Sequence, residues 1–207
     1  MPEKNKKIVL LFREIQSGNK TAFDELFGLY YDRLVCFAKH YTRQAESAED
    51  ITSELFVRIW LMRTRLSAIM QPEVYLYISI KNACFNLSRA NRKRTAVLSP
   101  QPVEDSFDPP ANDRANHMED KELQRILDLA VGALPAQRRL IFRLVKEEGF
   151  KSAEVASVLG ISIRTVENQL YKAIKVLAES ATAYLGYNPQ ARVARKQVPS
   201  GLSFFLI

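Results

Sequence analysis

The sequence predicts an all-α protein: two small helical domains joined by a flexible linker, the second carrying a helix-turn-helix. Three observations predict it. First, apolar residues recur at spacings of three and four along two stretches, from Lys6 to about Arg94 and from Glu119 to about Tyr184. Second, Ser99–Met118 between them holds four of the nine prolines (Pro100, Pro102, Pro109, Pro110) together with Glu104, Asp105, Asp108 and Asp113. Such a composition buries little apolar area and suits a flexible linker. Third, Phe150–Leu177 has cap and turn residues where a helix-turn-helix needs them. The expected boundaries are residues 1–95 for the first domain, 96–118 for the linker, 119–185 for the second domain and 186–207 for a tail.

In the first domain, Ile8, Leu11, Phe12 and Ile15 make a short amphipathic helix that Ser17-Gly18 ends. Thr21 is placed to cap the next helix, which carries Phe23, Leu26, Phe27, Tyr30 and Tyr31, then Leu34, Val35, Phe37 and Ala38. Glu46 or Ser47 starts another, with Ile51, Leu55, Ile59 and Met62 on one side. Pro72 suits the start of a further long helix, because a first-turn N–H has no helical partner to lose. There Val74, Tyr75, Ile78 and Cys84 alternate with polar positions, and Tyr75, Ile78 and Phe85 are expected in the core.

In the second domain Leu123, Ile126, Leu127 and Ala130 face one way. Pro135 opens a helix with Leu140, Ile141 and Leu144, and Gly149 ends it. Ser152 is expected as the N-cap of the next helix, whose Val155, Ala156 and Leu159 share a face. Gly160 follows where a helix must stop, since glycine enters the left-handed conformation without a Cβ clash. Ile161 plugs the corner and Ser162 caps the last helix. On that helix Val166, Leu170, Ala173 and Leu177 form an inward apolar stripe. Its other face carries Arg164, Thr165, Glu167, Asn168, Tyr171, Lys172 and Lys175, which can reach base edges or phosphates. A plain helical hairpin with a solvated outer face is the alternative reading of the same residues.

Charge sharpens the picture. The 207 residues carry a net charge of +7, which favours an acidic partner such as nucleic acid. No Asp or Glu lies between Leu76 and Val103, a span that holds Lys81, Arg89, Arg92, Lys93 and Arg94 with Tyr75, Tyr77, Phe85, Asn82 and Asn86. Cations neutralise phosphates, aromatics stack on bases and amides read base edges, so this segment suits single-stranded DNA. A solvated helix end over core aromatics would give the same composition. Glu46, Glu49, Asp50 and Glu54 form an acidic cluster beside Phe56, Arg58 and Trp60. That combination suits a protein-binding face, or a helix start whose acids complement the dipole with Trp60 in the core.

Other classes find little support. No apolar run approaches the roughly 18 residues of a membrane span, and the run after the N-terminal lysines is cut short by Arg13 and Glu14. A cytoplasmic protein without membrane insertion is expected. Cys36 and Cys84 sit in apolar helical patterns and read as reduced core thiols. His40 and His117 lie at no ligand spacing from either cysteine, so no metal is expected. There is no phosphate-cradling Gly-rich loop, nucleophile elbow or HExxH pattern, so neither a cofactor nor catalysis is expected. The tail ends in Phe204, Phe205, Leu206 and Ile207, which are expected to pack rather than stand free.

Three segments resemble one family. AEDITSELFVRIW (Ala48–Trp60) resembles the core-polymerase-binding helix of bacterial sigma-70 family factors. VYLYISIKNACFNLSRANRKR (Val74–Arg94) is similar to the adjoining promoter-melting and −10-recognition region. LPAQRRLIFRLVKEEGFKSAEVASVLGISIRTVENQLYKAIKVL (Leu134–Leu177) is similar to the −35-recognition domain. The two-domain form resembles the extracytoplasmic-function (ECF) subgroup, and the wording TVENQLYKAIKVL is similar to versions common in Bacteroidetes. Ser53 stands where the family often has Gln, and Glu167 where many members carry Lys or Arg.

The resemblance implies a dissociable, promoter-specific subunit of bacterial RNA polymerase. Asp50, Glu54, Phe56, Arg58 and Trp60 would dock on a coiled coil of the largest core subunit. Asn82, Asn86 and Arg89 would face the non-template strand of the −10 element, and Arg92, Lys93 and Arg94 its backbone. Arg164, Thr165, Glu167, Asn168, Tyr171, Lys172 and Lys175 would lie on the −35 element. An anti-sigma partner is implied by the resemblance alone. The competing function is a free-standing helix-turn-helix regulator that has no need of the Ala48–Trp60 motif. An adaptor that binds only proteins would not need the acid-free basic segment.

Overall fold

The computed structural model describes residues 3–42, 44–95 and 118–184. Among these every regular element is helical. The order is α1 (Glu3–Gln16), α2 (Lys20–Ala38), α3 (Ala45–Leu61), a short 3-10 helix (Arg63–Ala68), α4 (Pro72–Thr95), α5 (Met118–Gly132), α6 (Ala136–Lys146), α7 (Ser152–Leu159) and α8 (Ile163–Tyr184). Helices α1 to α4 form one compact unit; α5, α6, most of α7 and α8 form a second. The proline-rich stretch expected as a linker falls on 96–117, outside the described residues, and Met118 already begins α5. The tail from residue 185 is also outside them.

In the first unit, α1 buries the four residues its spacing predicts, Ile8, Leu11, Phe12 and Ile15. Gly18 then turns the chain at φ +88°, a backbone state that disfavours side chains. The cap of α2 differs from expectation. Asn19, not Thr21, is the N-cap, and its side-chain oxygen accepts from the Ala22 N–H at 3.2 Å. An amide oxygen two residues earlier satisfies the orphan donor, so Thr21 falls inside the helix. Likewise α3 starts at Ala45, ahead of Glu46 and Ser47, with no side-chain cap. The core gathers Leu26 and Leu34 of α2, Leu55 and Ile59 of α3 and Leu76 and Ile80 of α4. Polar groups inside it are paired: Tyr30 donates to Glu73 Oε1 at 3.1 Å, and Thr52 donates to the Ala48 carbonyl at 2.8 Å.

In the second unit α8 packs on α5 and α6. Ala130, Val131, Leu134, Phe142, Ala173 and Leu177 form the buried cluster, with Leu127, Leu170 and Val176 at its margin. Two arginines of α6 tie this unit together. Arg138 donates to Gln169 Oε1 of α8 at 3.1 Å, and Arg139 donates to the Gly132 carbonyl at 2.8 Å.

Candidate nucleic-acid interface

The helix-turn-helix is built as its sequence predicts at the start of α8 and differently at the start of α7. Ser162 caps α8: its Oγ accepts from the Thr165 N–H at 3.0 Å and pairs with Thr165 Oγ1 at 2.8 Å. Gly160 turns the chain at φ +72°, and the Ile161 N–H donates to the Ala156 carbonyl at 3.1 Å. For α7, however, Ser152 is the first helical residue and not the cap. The Glu154 carboxylate reaches back to the Lys151 N–H at 2.8 Å, the reciprocal half of a capping box. Lys151 offers no side-chain acceptor, so glutamate secures this end alone.

Val166, Ala173 and Leu177 are fully buried and Leu170 is half-buried. Those contacts fix the rotation of α8. They leave Arg164, Glu167, Asn168, Tyr171, Lys172 and Lys175 exposed. Tyr171, at 71% exposure, has no role in the core. Thr165 is half-buried and its hydroxyl is engaged with Ser162, so it helps shape the helix start as well as face outward. Lys175 lies 4.0 Å from Glu179, an exposed pair that a phosphate could displace at small cost.

In α4, Asn82, Asn86 and Arg89 are exposed on one face. Arg92, Lys93 and Arg94 belong to the same helix, but their side chains lie outside the described residues. Two expectations for the aromatics are corrected. Tyr77, read as a possible stacking group, is 1% exposed and packs edge-on against Phe37 at 4.9 Å. Phe85, read as core, is 55% exposed. Tyr75 and Ile78, also assigned to the core, are half-buried. Leu76, Tyr77 and Ile80 fill the interior instead.

The outer face of α3 presents Glu46, Asp50, Glu54 and Arg58. Phe56 is corrected as a docking residue: at 2% exposure it has no surface to offer. Its ring lies 4.9 Å from Phe27 and 6.1 Å from Phe23, an aromatic shelf that supports α3 from behind. Trp60 is half-buried between Phe23, at 5.2 Å, and the Arg63 guanidinium, at 5.0 Å from the ring centre. Two residues that periodicity alone would have found were missed. Val57 and Leu61, at 58% and 73% exposure, fall three and seven residues after Glu54 on the acidic face.

Cys84 is buried and Cys36 half-buried, and neither is in a disulfide. Burial pushes the Cys84 thiol up to about 11 and the nearby Tyr41 hydroxyl up to about 12. Among the described residues no group of His, Cys, Asp and Glu gathers to hold a metal, and no helix is long and apolar enough to cross a membrane.

An exposed acidic-apolar helix, a basic amide-bearing helix and a capped helix-turn-helix follow one another along the chain, in the order the sequence resemblance implies. Sequence comparison agrees: residues 26–94 match Sigma-70 region 2 and residues 124–177 match Sigma-70, region 4. The chain belongs to the sigma-70 family. It is a sigma factor of the ECF type, which directs bacterial RNA polymerase to specific promoters and initiates transcription there. The ferric citrate uptake sigma factor FecI of Escherichia coli is 27% identical over 154 residues, covering 74% of this chain and 87% of the relative. ECF RNA polymerase sigma factor SigM of Mycobacterium tuberculosis is 28% identical over 173 residues, covering 83% and 81%. In fold, the chain is similar to the sigma factor RpoE of Bartonella quintana, solved with the anti-sigma factor NepR. That match has a TM-score of 0.52 at 19% identity and covers 76% of this chain and 95% of that one.

Proposed function

We propose that the ECF activity is divided among three faces of this chain. The outer face of α3 docks on core polymerase through Asp50, Glu54, Arg58 and the accessible part of Trp60, with Val57 and Leu61 supplying apolar contact. Phe56 and Phe23 hold that face in place. Asn82, Asn86 and Arg89 of α4 meet the non-template strand of the −10 element, and Arg92, Lys93 and Arg94 its phosphates. Arg164, Thr165, Asn168, Tyr171 and Lys172 of α8 enter the major groove at the −35 element, with Lys175 on phosphate. Glu167 can accept from a cytosine amino group but repels phosphate, so it gives this chain a −35 preference of its own.

The observation that carries this reading is the exposed outer face of α3. A regulator that bound DNA without polymerase would have no use for Val57 and Leu61 standing in water beside Asp50 and Glu54. Residues 96–117 join the two units covalently in this reading. Two modest DNA contacts, both anchored on polymerase, then reinforce one another through effective concentration. The chain works in the cytoplasm, performs no chemistry of its own and belongs to a Bacteroidetes-like branch of the ECF subgroup. An anti-sigma protein is its negative regulator, by analogy with the relative solved in such a complex.

Association with purified core polymerase, followed by size exclusion, tests the division. Leu61→Asp and Asp50→Ala are expected to weaken core association while leaving the helical fold intact. Undiminished association of both variants would remove α3 from the docking surface.

A further inference from the structure

At the start of α8 an apolar side chain stands where the fold does not need one. Ile163 is the first residue of that helix and is 47% exposed. The helix end is secured without it. Ser162 is the cap, its Oγ accepting from the Thr165 N–H at 3.0 Å and pairing with Thr165 Oγ1 at 2.8 Å. The apolar contacts on either side belong to other residues: Ile161 is half-buried at the corner and Val166 is completely buried. Ile163 lies three residues before Val166, at the edge of the apolar stripe, and overhangs it into solvent. A β-branched residue gives a helix start no conformational advantage either.

Direction and chemistry point to a ligand. Cα–Cβ bonds tilt toward the N-terminus of a helix, so the first side chain of α8 reaches toward the helix end. In a helix-turn-helix that end approaches base edges in the major groove. Most of what it meets there is polar: phosphates, carbonyls, ring nitrogens and amino groups. The apolar group a base offers in that groove is the 5-methyl of thymine. Glu167 is exposed and one turn further along, and residues four apart hold their Cβ atoms about 5–6 Å from each other. A carboxylate repels phosphate but accepts from a cytosine amino group. Isoleucine and glutamate, side by side, thus both suit the major-groove edge of a pyrimidine and neither suits the backbone.

We propose that Ile163 contacts the 5-methyl group of one thymine in the −35 element and makes this chain select thymine there. This contact rests on the placement of α8 at the −35 element and adds an apolar, specificity-determining residue to its polar face. Deoxyuridine keeps every hydrogen-bonding group of thymine and lacks only the methyl. It therefore separates this contact from all polar readout, and from a surface isoleucine that touches nothing.

The test begins with the full chain, free and assembled with core polymerase, selecting from promoter duplexes randomised across the −35 window. Each thymine of the selected element is then replaced singly by deoxyuridine, and wild type is compared with Ile163→Ala. Wild type is expected to lose about 4-fold in affinity at one position, the fold-change that burial of one methyl group gives. Ile163→Ala should bind the thymine duplex about as weakly as wild type binds the uracil duplex, and should not respond to the methyl. The uracil half of the test needs no variant, so misfolding cannot mimic it. A wild type indifferent to the methyl at every thymine would overturn the contact. So would an equal methyl effect in Ile163→Ala, or a selected element without thymine. Methyl dependence in the free chain with no core-dependent transcript would remove the sigma reading and leave Ile163 in place. Core-dependent transcription without methyl dependence would do the reverse.

Discussion

Helices α4 and α8 both carry residues proposed to face DNA, but they are enclosed differently. Helix α8 packs on α5 and α6. Its apolar stripe is narrow, and the residues opposite the stripe reach solvent. Helix α4 packs against α1, α2 and α3. Burial therefore wraps around its first half, where Val74, Leu76, Tyr77 and Ile80 are all inside although they occupy different faces. Past Cys84 burial thins, and Phe85 is 55% exposed with one edge against Tyr41. Periodicity reads a helix with one packed side; it misreads a helix whose packed side changes along its length.

The sharpest way to break this comparison is to exchange the expected fates of the two α4 aromatics. Tyr77→Ala should destabilise the first unit by about 3–5 kcal/mol, the usual cost of emptying a large buried aromatic site. Denaturant unfolding checks it, and a loss below about 1 kcal/mol would mean that Tyr77 is not the core ring described. In α8 the comparable weak point is an end and not the middle. Ser162→Ala removes the acceptor for the Thr165 N–H and should cost the second unit about 0.5–2 kcal/mol. It should also weaken −35 binding, because the first turn carries Arg164 and Thr165.

A pH titration sharpens the contrast further. Burial raises the Cys84 thiol from 9.0 to about 11 and Tyr41 from 10.0 to about 12. In the unfolded chain these groups ionise first, so their contribution is fully present below pH 9 and is lost as pH rises through 11. The stability of the first unit should fall across that window, and Cys84→Ala should flatten the fall. A slope unchanged by Cys84→Ala would contradict the burial of the thiol. The smallest expected effect belongs to Phe85→Ala, which should change stability by less than about 0.5 kcal/mol because the ring is outside the core.

Much of this was legible beforehand. Ile8, Leu11, Phe12 and Ile15 lie inside as their spacing demands, and so do Val166, Ala173 and Leu177. The exposed faces of α3 and α8 follow from the same arithmetic. Helix ends were less legible, because a cap depends on which nearby side chain reaches the orphan N–H groups. Asn19 reaches them before Thr21 can, and Glu154 serves α7 from within. The aromatics were least legible. Phe56 lies beneath the outer face of α3 and does not join it, and Phe85 is 55% exposed, since tertiary neighbours decide which side of a ring is free. Composition cannot supply those neighbours.

The central claim is that this chain selects promoters only as part of polymerase, through α4 and α8 together. Run-off transcription with purified bacterial core on a promoter library tests it most directly, with Trp60→Ala, Asn86→Ala and Asn168→Ala beside the wild type. Specific transcripts are expected that require both core and this chain, that weaken with Trp60→Ala on every promoter, and that shift in −10 or −35 preference with the two asparagine variants. Sequence-specific DNA binding by the free chain, with no core-dependent transcript from any library member, would contradict it.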